Sequence, residues 1–251
     1  MLYFLAASLP PIKFGEEPEL SMADLDQLLK DNCSKKEMDA IALLRRLLDL
    51  DNVRHVIRSE PVSPWGTLTQ KELEEVLLNK VGLPDYVFEI LDRYEGVEEQ
   101  VQAFDEIFFA FFSTEAHEET GFLKRFYTFE WVLHLCLTAY RAEKMGRPLQ
   151  EALRHADQTS LIVKALPEFP FEFKDLSELL GSLPDEPLEQ YVALMRYRFE
   201  KFETLYDGNP FSLAGVMVYM LKLMIAEEWY SLNDEEGEDR LDALYDERRI
   251  A

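Results

Sequence analysis

The chain has 251 residues, 47% of them hydrophobic, which is enough to bury the core of one large domain or two small ones. Its 49 acidic and 26 basic residues give a formal net charge of -23, which argues against nonspecific attraction to nucleic-acid phosphate or to an anionic membrane surface. We therefore expect a soluble protein whose partners are proteins with basic surfaces.

The N-terminal run from Leu2 to Leu9 is apolar, but it has no preceding basic region and ends at Pro10, well short of signal-peptide length. We interpret this run as part of the folded core. Further along, Ser34 and Glu37 have the spacing of a capping box, in which each side chain bonds the other's backbone N–H. A helix is predicted to begin there.

Apolar residues recur at helical spacing from Ile41 to Ile57, which predicts one continuous core helix. Four polar residues are assigned to its solvent side: Arg45, Arg46, Asp49 and Arg58. The pair Asp51-Asn52 interrupts the pattern, and a solvated edge or a slight bend is the interpretation we favour over a functional one. A loop follows, and Thr69 is predicted to cap the next helix, from Gln70 to Asn79.

Phenylalanines spaced three and four residues apart between Val101 and Phe112 predict a buried aromatic stripe rather than a ligand site. The longest helix signal runs from Gly121 to Met145, and its apolar residues nearly cover the circumference. The loop from Pro167 to Phe173 is rich in proline and phenylalanine. It is either an exposed docking edge or irregular packing, and packing is the interpretation we favour.

Near the C-terminus, a charged amphipathic helix is predicted from Leu188 to Tyr206, followed by a strong turn signal in Asp207-Gly208-Asn209-Pro210. The closing helix, Phe211 to Leu232, has Ser212 as its predicted N-cap. It is too charged to span a membrane, because it contains Lys222 and runs into two glutamates. The acidic segment from Asn233 to Asp246 is predicted to be frayed or only weakly helical.

Strand-like alternation is absent, so the predicted fold class is all-α, a multi-helix bundle. The predicted domain organisation is a single all-helical domain over residues 1–251, with two pseudo-repeats, 1–120 and 121–251, as an alternative division.

The histidines do not form a metal-binding pattern. A di-metal bundle would need inward-facing Glu-x-x-His motifs, whereas Glu130 and His134 are four residues apart, as are Glu151 and His155. That spacing suits ion pairs on a helix surface. His117-Glu118-Glu119 begins like a zinc-protease motif, but the second histidine is missing. We predict no metal ligands.

The two cysteines, Cys33 and Cys136, are far apart and belong to no CxxC motif, which is typical of a reduced cytosolic compartment. Cys136 lies between Leu135 and Leu137 within a predicted helix, so we expect an inert buried thiol rather than a nucleophile. Phosphate-binding glycine loops are also absent. We predict no catalytic residue, no cofactor-binding residue and no cofactor, and hence no enzymatic activity.

Three segments together carry a family resemblance. Tyr3 to Pro10 resembles the opening of a bacterial family of unknown biochemistry that is often encoded within V-type ATPase gene clusters. Leu48 to Arg54 is similar to the D-x-x-N-hydrophobic signature of the C/d subunit of V- and A-type ATPases. The closing helix resembles that of the same C/d subunit through three short stretches: Asn209-Pro210-Phe211, Tyr219 to Leu223, and Glu227-Glu228.

The resemblance implies a shortened form of the funnel of stacked helical repeats that the C/d subunit forms. It also implies a non-catalytic role as a rotor-stalk coupler between the central shaft and the membrane rotor ring. Asp51, Asn52 and Arg54, which match the signature, would brace one helical repeat against the next. The protein would be cytoplasmic and peripheral to the inner membrane through the ATPase complex, with shaft and rotor-ring proteins as partners.

Two other hypotheses stay open at this point. In the first, the chain is an acidic helical scaffold or regulatory protein-binding module unrelated to the ATPase. In the second, it is a helical enzyme with a carboxylate-lined pocket. The second of these needs several acidic side chains to converge in space, which a sequence does not reveal.

Overall fold

A computed structural model describes residues 2–156, 161–166, 170–182 and 186–233 of the chain. Within these residues the regular secondary structure is helical throughout, and the all-α prediction is confirmed. None of these helices combines the length and the apolarity that a membrane-crossing segment needs.

The chain divides into two compact units. The terminal unit comprises Met1–Ile41 and Glu178–Ala251, and the central unit comprises Ala42–Ser177. The prediction of one domain with a division at residue 120 stays a prediction.

The helices, in chain order, are α1 Leu2–Ser8, α2 Met22–Asn32, α3 Lys35–Leu44, α4 Arg46–Arg58, α5 Gln70–Asn79, α6 Asp85–Leu91, α7 Val97–Gln102, α8 Phe104–Ser113, α9 Glu115–Glu118, α10 Gly121–Lys144, α11 Leu149–Ala152, α12 Leu161–Ala165, α13 Lys174–Ser182, α14 Pro187–Phe202 and α15 Leu213–Asn233. Short 3₁₀ turns cover Phe171–Phe173 and Glu203–Leu205.

In the terminal unit, α14 and α15 form a helical hairpin, and α1 and α2 pack against α15. Helix α15 is buried over most of its length; its buried side chains are Val216, Met217, Val218, Met220, Leu221, Leu223, Met224, Ile225 and Ala226. Lys222 reaches back to α14, where its Nζ lies 4.4 Å from the ring centre of Phe199 and 2.5 Å from an oxygen of Glu203, just after the helix. The predicted charge in this helix is therefore accommodated by an ion pair and an aromatic face.

The central unit is built on α10, which buries eleven of its residues. The ring of Phe111 from α8 meets the ring of Tyr127 from α10 edge-on at 5.0 Å, and the Tyr127 hydroxyl donates to the carbonyl of Leu43. Helix α4 packs against α5, α7 and α8. Of the predicted aromatic stripe, Phe104, Ile107 and Phe111 are part of the core, whereas Phe108 and Phe112 are partly exposed.

One prediction of local structure is wrong, and another holds only in part. The helix expected from Ile41 to Ile57 is two helices, because the N–H of Arg45 bonds the carbonyl of Ala42, three residues back, and tightens the turn there. In the N-terminal run, Leu5 of α1 is buried, whereas Tyr3 and Phe4 are 60% and 77% exposed. A seven-residue helix resting on one face leaves the rest of its apolar surface in water.

The predicted helix starts are confirmed at Ser34, Thr69 and Ser212. Ser34 and Glu37 form the capping box, with the Ser34 N–H donating to Glu37 at 2.7 Å. Ser212 accepts the N–H of Gly215 at 3.1 Å, as expected of an N-cap. Of the acidic segment predicted to fray, residues 234–246 lie outside the described residues.

The loop rich in proline and phenylalanine lies partly outside the described residues as well. Among those described, Phe173 is buried and stacks on Phe129 at 5.7 Å, whereas Phe171 is 82% exposed. Packing therefore accounts for Phe173 but not for Phe171.

Gly215 offers a test of the α15 start. A Cβ built there would lie 2.7 Å from the carbonyl oxygen of Asn209 and 2.7 Å from the Cα of Pro210, which are rigid backbone atoms. We expect Gly215→Ala to lower the free energy of unfolding by about 1–3 kcal/mol, measured by urea denaturation.

The control is Gly181→Ala in α13, where a Cβ meets nothing within 4 Å. Because alanine is the better helix former, this variant should gain up to about 1 kcal/mol. Equal losses for both variants would contradict the packing argument.

Candidate functional site

Helix α4 carries a fully buried amide. The side chain of Asn52 is 0% exposed, and it pairs with the backbone of Ser63 through two hydrogen bonds. Its Nδ2 donates to the Ser63 carbonyl at 3.0 Å, and its Oδ1 accepts the Ser63 N–H at 2.8 Å. One side chain therefore satisfies both backbone groups of a loop residue, which buried backbone requires.

One helical turn earlier, Asp49 is 1% exposed and binds the same loop. Its Oδ1 accepts the N–H of Thr67 at 2.6 Å and that of Leu68 at 3.3 Å, and its Oδ2 accepts the Thr67 hydroxyl at 2.5 Å. Burial raises the pKa of Asp49, because desolvation of the carboxylate outweighs these hydrogen bonds and the nearby charge of Arg46.

Gly66 lies directly over both side chains. A Cβ at this position would be 2.6 Å from Nδ2 of Asn52 and 2.7 Å from Oδ1 of Asp49, so any larger residue would have to displace these two buried side chains. We call Asp49, Asn52 and loop residues 63–68 the loop clamp. Helix α5 begins immediately after it, at the capping box of Thr69 and Glu72.

The loop clamp corrects the sequence-based assignment of this helix. Asn52 was predicted at a solvated edge or bend, and Asp49 and Arg45 were predicted on the solvent side, yet all three are buried. A spacing of three places Asp49 and Asn52 on one helix face, and backbone groups of the loop compensate for their polarity. Asp51 and Arg54 instead pair with each other, at 2.5 Å, at half-exposed positions.

A signal for this arrangement was present in the sequence. Two polar residues three apart interrupted the apolar pattern, and a glycine followed in the next loop. Polar residues that share a helix face with buried leucines and precede an irregular segment indicate backbone binding rather than exposure.

The paired glutamates of α15, Glu227 and Glu228, also accept hydrogen bonds from other helices. Glu227 accepts the N–H of Met22, the first residue of α2, at 2.7 Å, and so caps that helix from a distant part of the sequence. Glu228 accepts the hydroxyl of Tyr191 from α14. Burial raises the pKa of Glu228, and the Tyr191 hydrogen bond and the charge of Arg198 offset this only in part.

These carboxylates and the Asn52 amide form hydrogen bonds with backbone groups and hydroxyls. Within the described parts of the chain, His, Cys, Asp and Glu side chains form no group of three that could hold a metal ion. The Cys136 thiol is buried, and burial raises its pKa to about 12, which keeps it protonated and a poor nucleophile. The predicted inert thiol is thus consistent with its surroundings.

Comparison with known proteins places the chain among bacterial relatives. Residues 1–247 match the family described as "Protein of unknown function (DUF2764)". A protein of Chlamydia trachomatis is 27% identical over 92% of each chain, and one of Chlamydia muridarum is 23% identical over 96% of each. A third, from Chlamydia pneumoniae, is 28% identical over 88% of this chain and 90% of its own.

All three relatives are described as uncharacterized proteins, and their descriptions name no activity and no V-type ATPase. No solved structure matches the chain significantly.

Two variants, one in the loop clamp and one beside it, test the contribution of the clamp to stability. Asn52→Ala leaves both backbone groups of Ser63 buried without their partner, and we expect it to cost about 1–3 kcal/mol in the free energy of unfolding. Asp51→Ala, one residue away, removes a half-exposed ion pair and should cost less than about 1 kcal/mol. Urea denaturation of both variants measures the difference, and similar costs would show that the clamp contributes little.

Glu228→Gln tests the partly buried carboxyl of Glu228. Glutamine still accepts the Tyr191 hydroxyl but carries no charge. Because the folded-state pKa of Glu228 is raised above its ordinary value of 4.5, the folded wild type holds this proton more tightly. The contribution of Glu228 to the free energy of unfolding of the wild type therefore falls as the pH rises through the folded-state pKa. The variant should be more stable than wild type at neutral pH, and the difference should vanish below the ordinary value.

Denaturation across acidic to neutral pH measures this difference. Glu189→Gln, at an exposed position of the same hairpin, is the control and should stay within about 0.5 kcal/mol of wild type at every pH. A Glu228→Gln effect that is constant with pH would contradict the assignment.

Proposed function

The chain belongs to the DUF2764 family, described as proteins of unknown function, and from this premise we propose that it is a non-catalytic component of a V/A-type ATPase. In this proposal it is the equivalent of the C/d subunit and couples the central shaft to the membrane rotor ring.

The loop clamp is the observation that carries the proposal. Three residues match the C/d-subunit signature: Asp51, Asn52 and Arg54. Asn52 is buried and bonded to the loop, next to Asp49 of the same stretch, Leu48 to Arg54. Asp51 and Arg54 form a half-exposed ion pair. A match made by exposed acidic residues would reflect composition alone. A match that includes a buried amide bonded to both backbone groups of a loop residue is more specific than that.

The closing helix adds a second point of support. Glu227 and Glu228, which also belong to the resemblance, each bind another helix of the terminal unit. The segments that carry the likeness therefore hold helices together, which is the task expected of a mechanical part.

A coupling protein transmits torque through contact, so it must deform little under load. Helix α10 has 24 residues and spans about 36 Å, and eleven of these residues, distributed from Phe122 to Ala142, are buried. Close-packed interiors have low compressibility. The loop clamp also fixes the connection between α4 and α5, a loop that would otherwise deform under load.

The alternative is an acidic helical scaffold or regulatory protein-binding module unrelated to the ATPase. The ring of Phe171, 82% exposed in the loop rich in proline and phenylalanine, favours this second candidate, because an exposed aromatic side chain is typical of a docking edge.

Depletion in the native cell separates the two proposals. A coupling protein is needed for ion pumping but not for ATP hydrolysis, so membranes from depleted cells should hydrolyse ATP while losing ATP-driven ion uptake. Affinity capture of the tagged full chain from gently solubilised membranes should also recover shaft and rotor-ring proteins.

An unrelated acidic protein with the same tag and expression level is the control for capture. Unchanged ion uptake after depletion, together with capture of no ATPase component, would refute the coupling role and leave the scaffold.

A further inference from the structure

We draw no further inference here: the strongest candidate, the half-buried aromatic face that Phe109 and Phe112 of α8 form with Trp131 of α10 in the central unit, carries none, because nothing in the structure shows what covers it and the charges of the two helices, acidic on α8 and mixed on α10, favour no single partner.

Discussion

Two side chains of one helix face, Asp49 and Asn52, bind an irregular loop through its backbone, and the arrangement of the central unit depends on that contact. The helix supplies a rigid base, the carboxylate and amide satisfy buried loop groups, and Gly66 allows the close approach. Since α5 begins directly after the loop, its position relative to α4 follows from the same bonds. Without them, the loop backbone would need water that the packed interior excludes.

Apolar periodicity predicted the long helices well because burial of one face is a property of local sequence. The helix from Gly121 to Lys144, the α15 helix and the caps at Ser34, Thr69 and Ser212 all follow from such patterns. The break at Arg45 did not, because the leucines continue through it at helical spacing.

The candidate site could be located in the sequence but not interpreted. A periodicity argument assigns any polar residue to solvent, and so it misassigned Asp49 and Asn52, whose partners are backbone groups of residues that follow more than ten positions later. The roles of Glu227 and Gly215 were hidden for the same reason. Glu227 depends on the start of α2, which no local pattern identifies as its neighbour. Gly215 depends on how closely the predicted turn at Asn209 approaches α15, which the turn signal does not reveal.

The loop clamp binds mainly backbone atoms, and this determines which changes the loop tolerates over evolution. Asp49 and Asn52 bond N–H and carbonyl groups at residues 63, 67 and 68, together with one hydroxyl. The path of the loop therefore matters more to the clamp than the identity of its side chains. Insertions or deletions between residues 52 and 67 would shift the N–H groups away from both acceptors. Relatives that differ widely in the sequence of this segment can thus keep its shape, provided that its length and the glycine at position 66 persist.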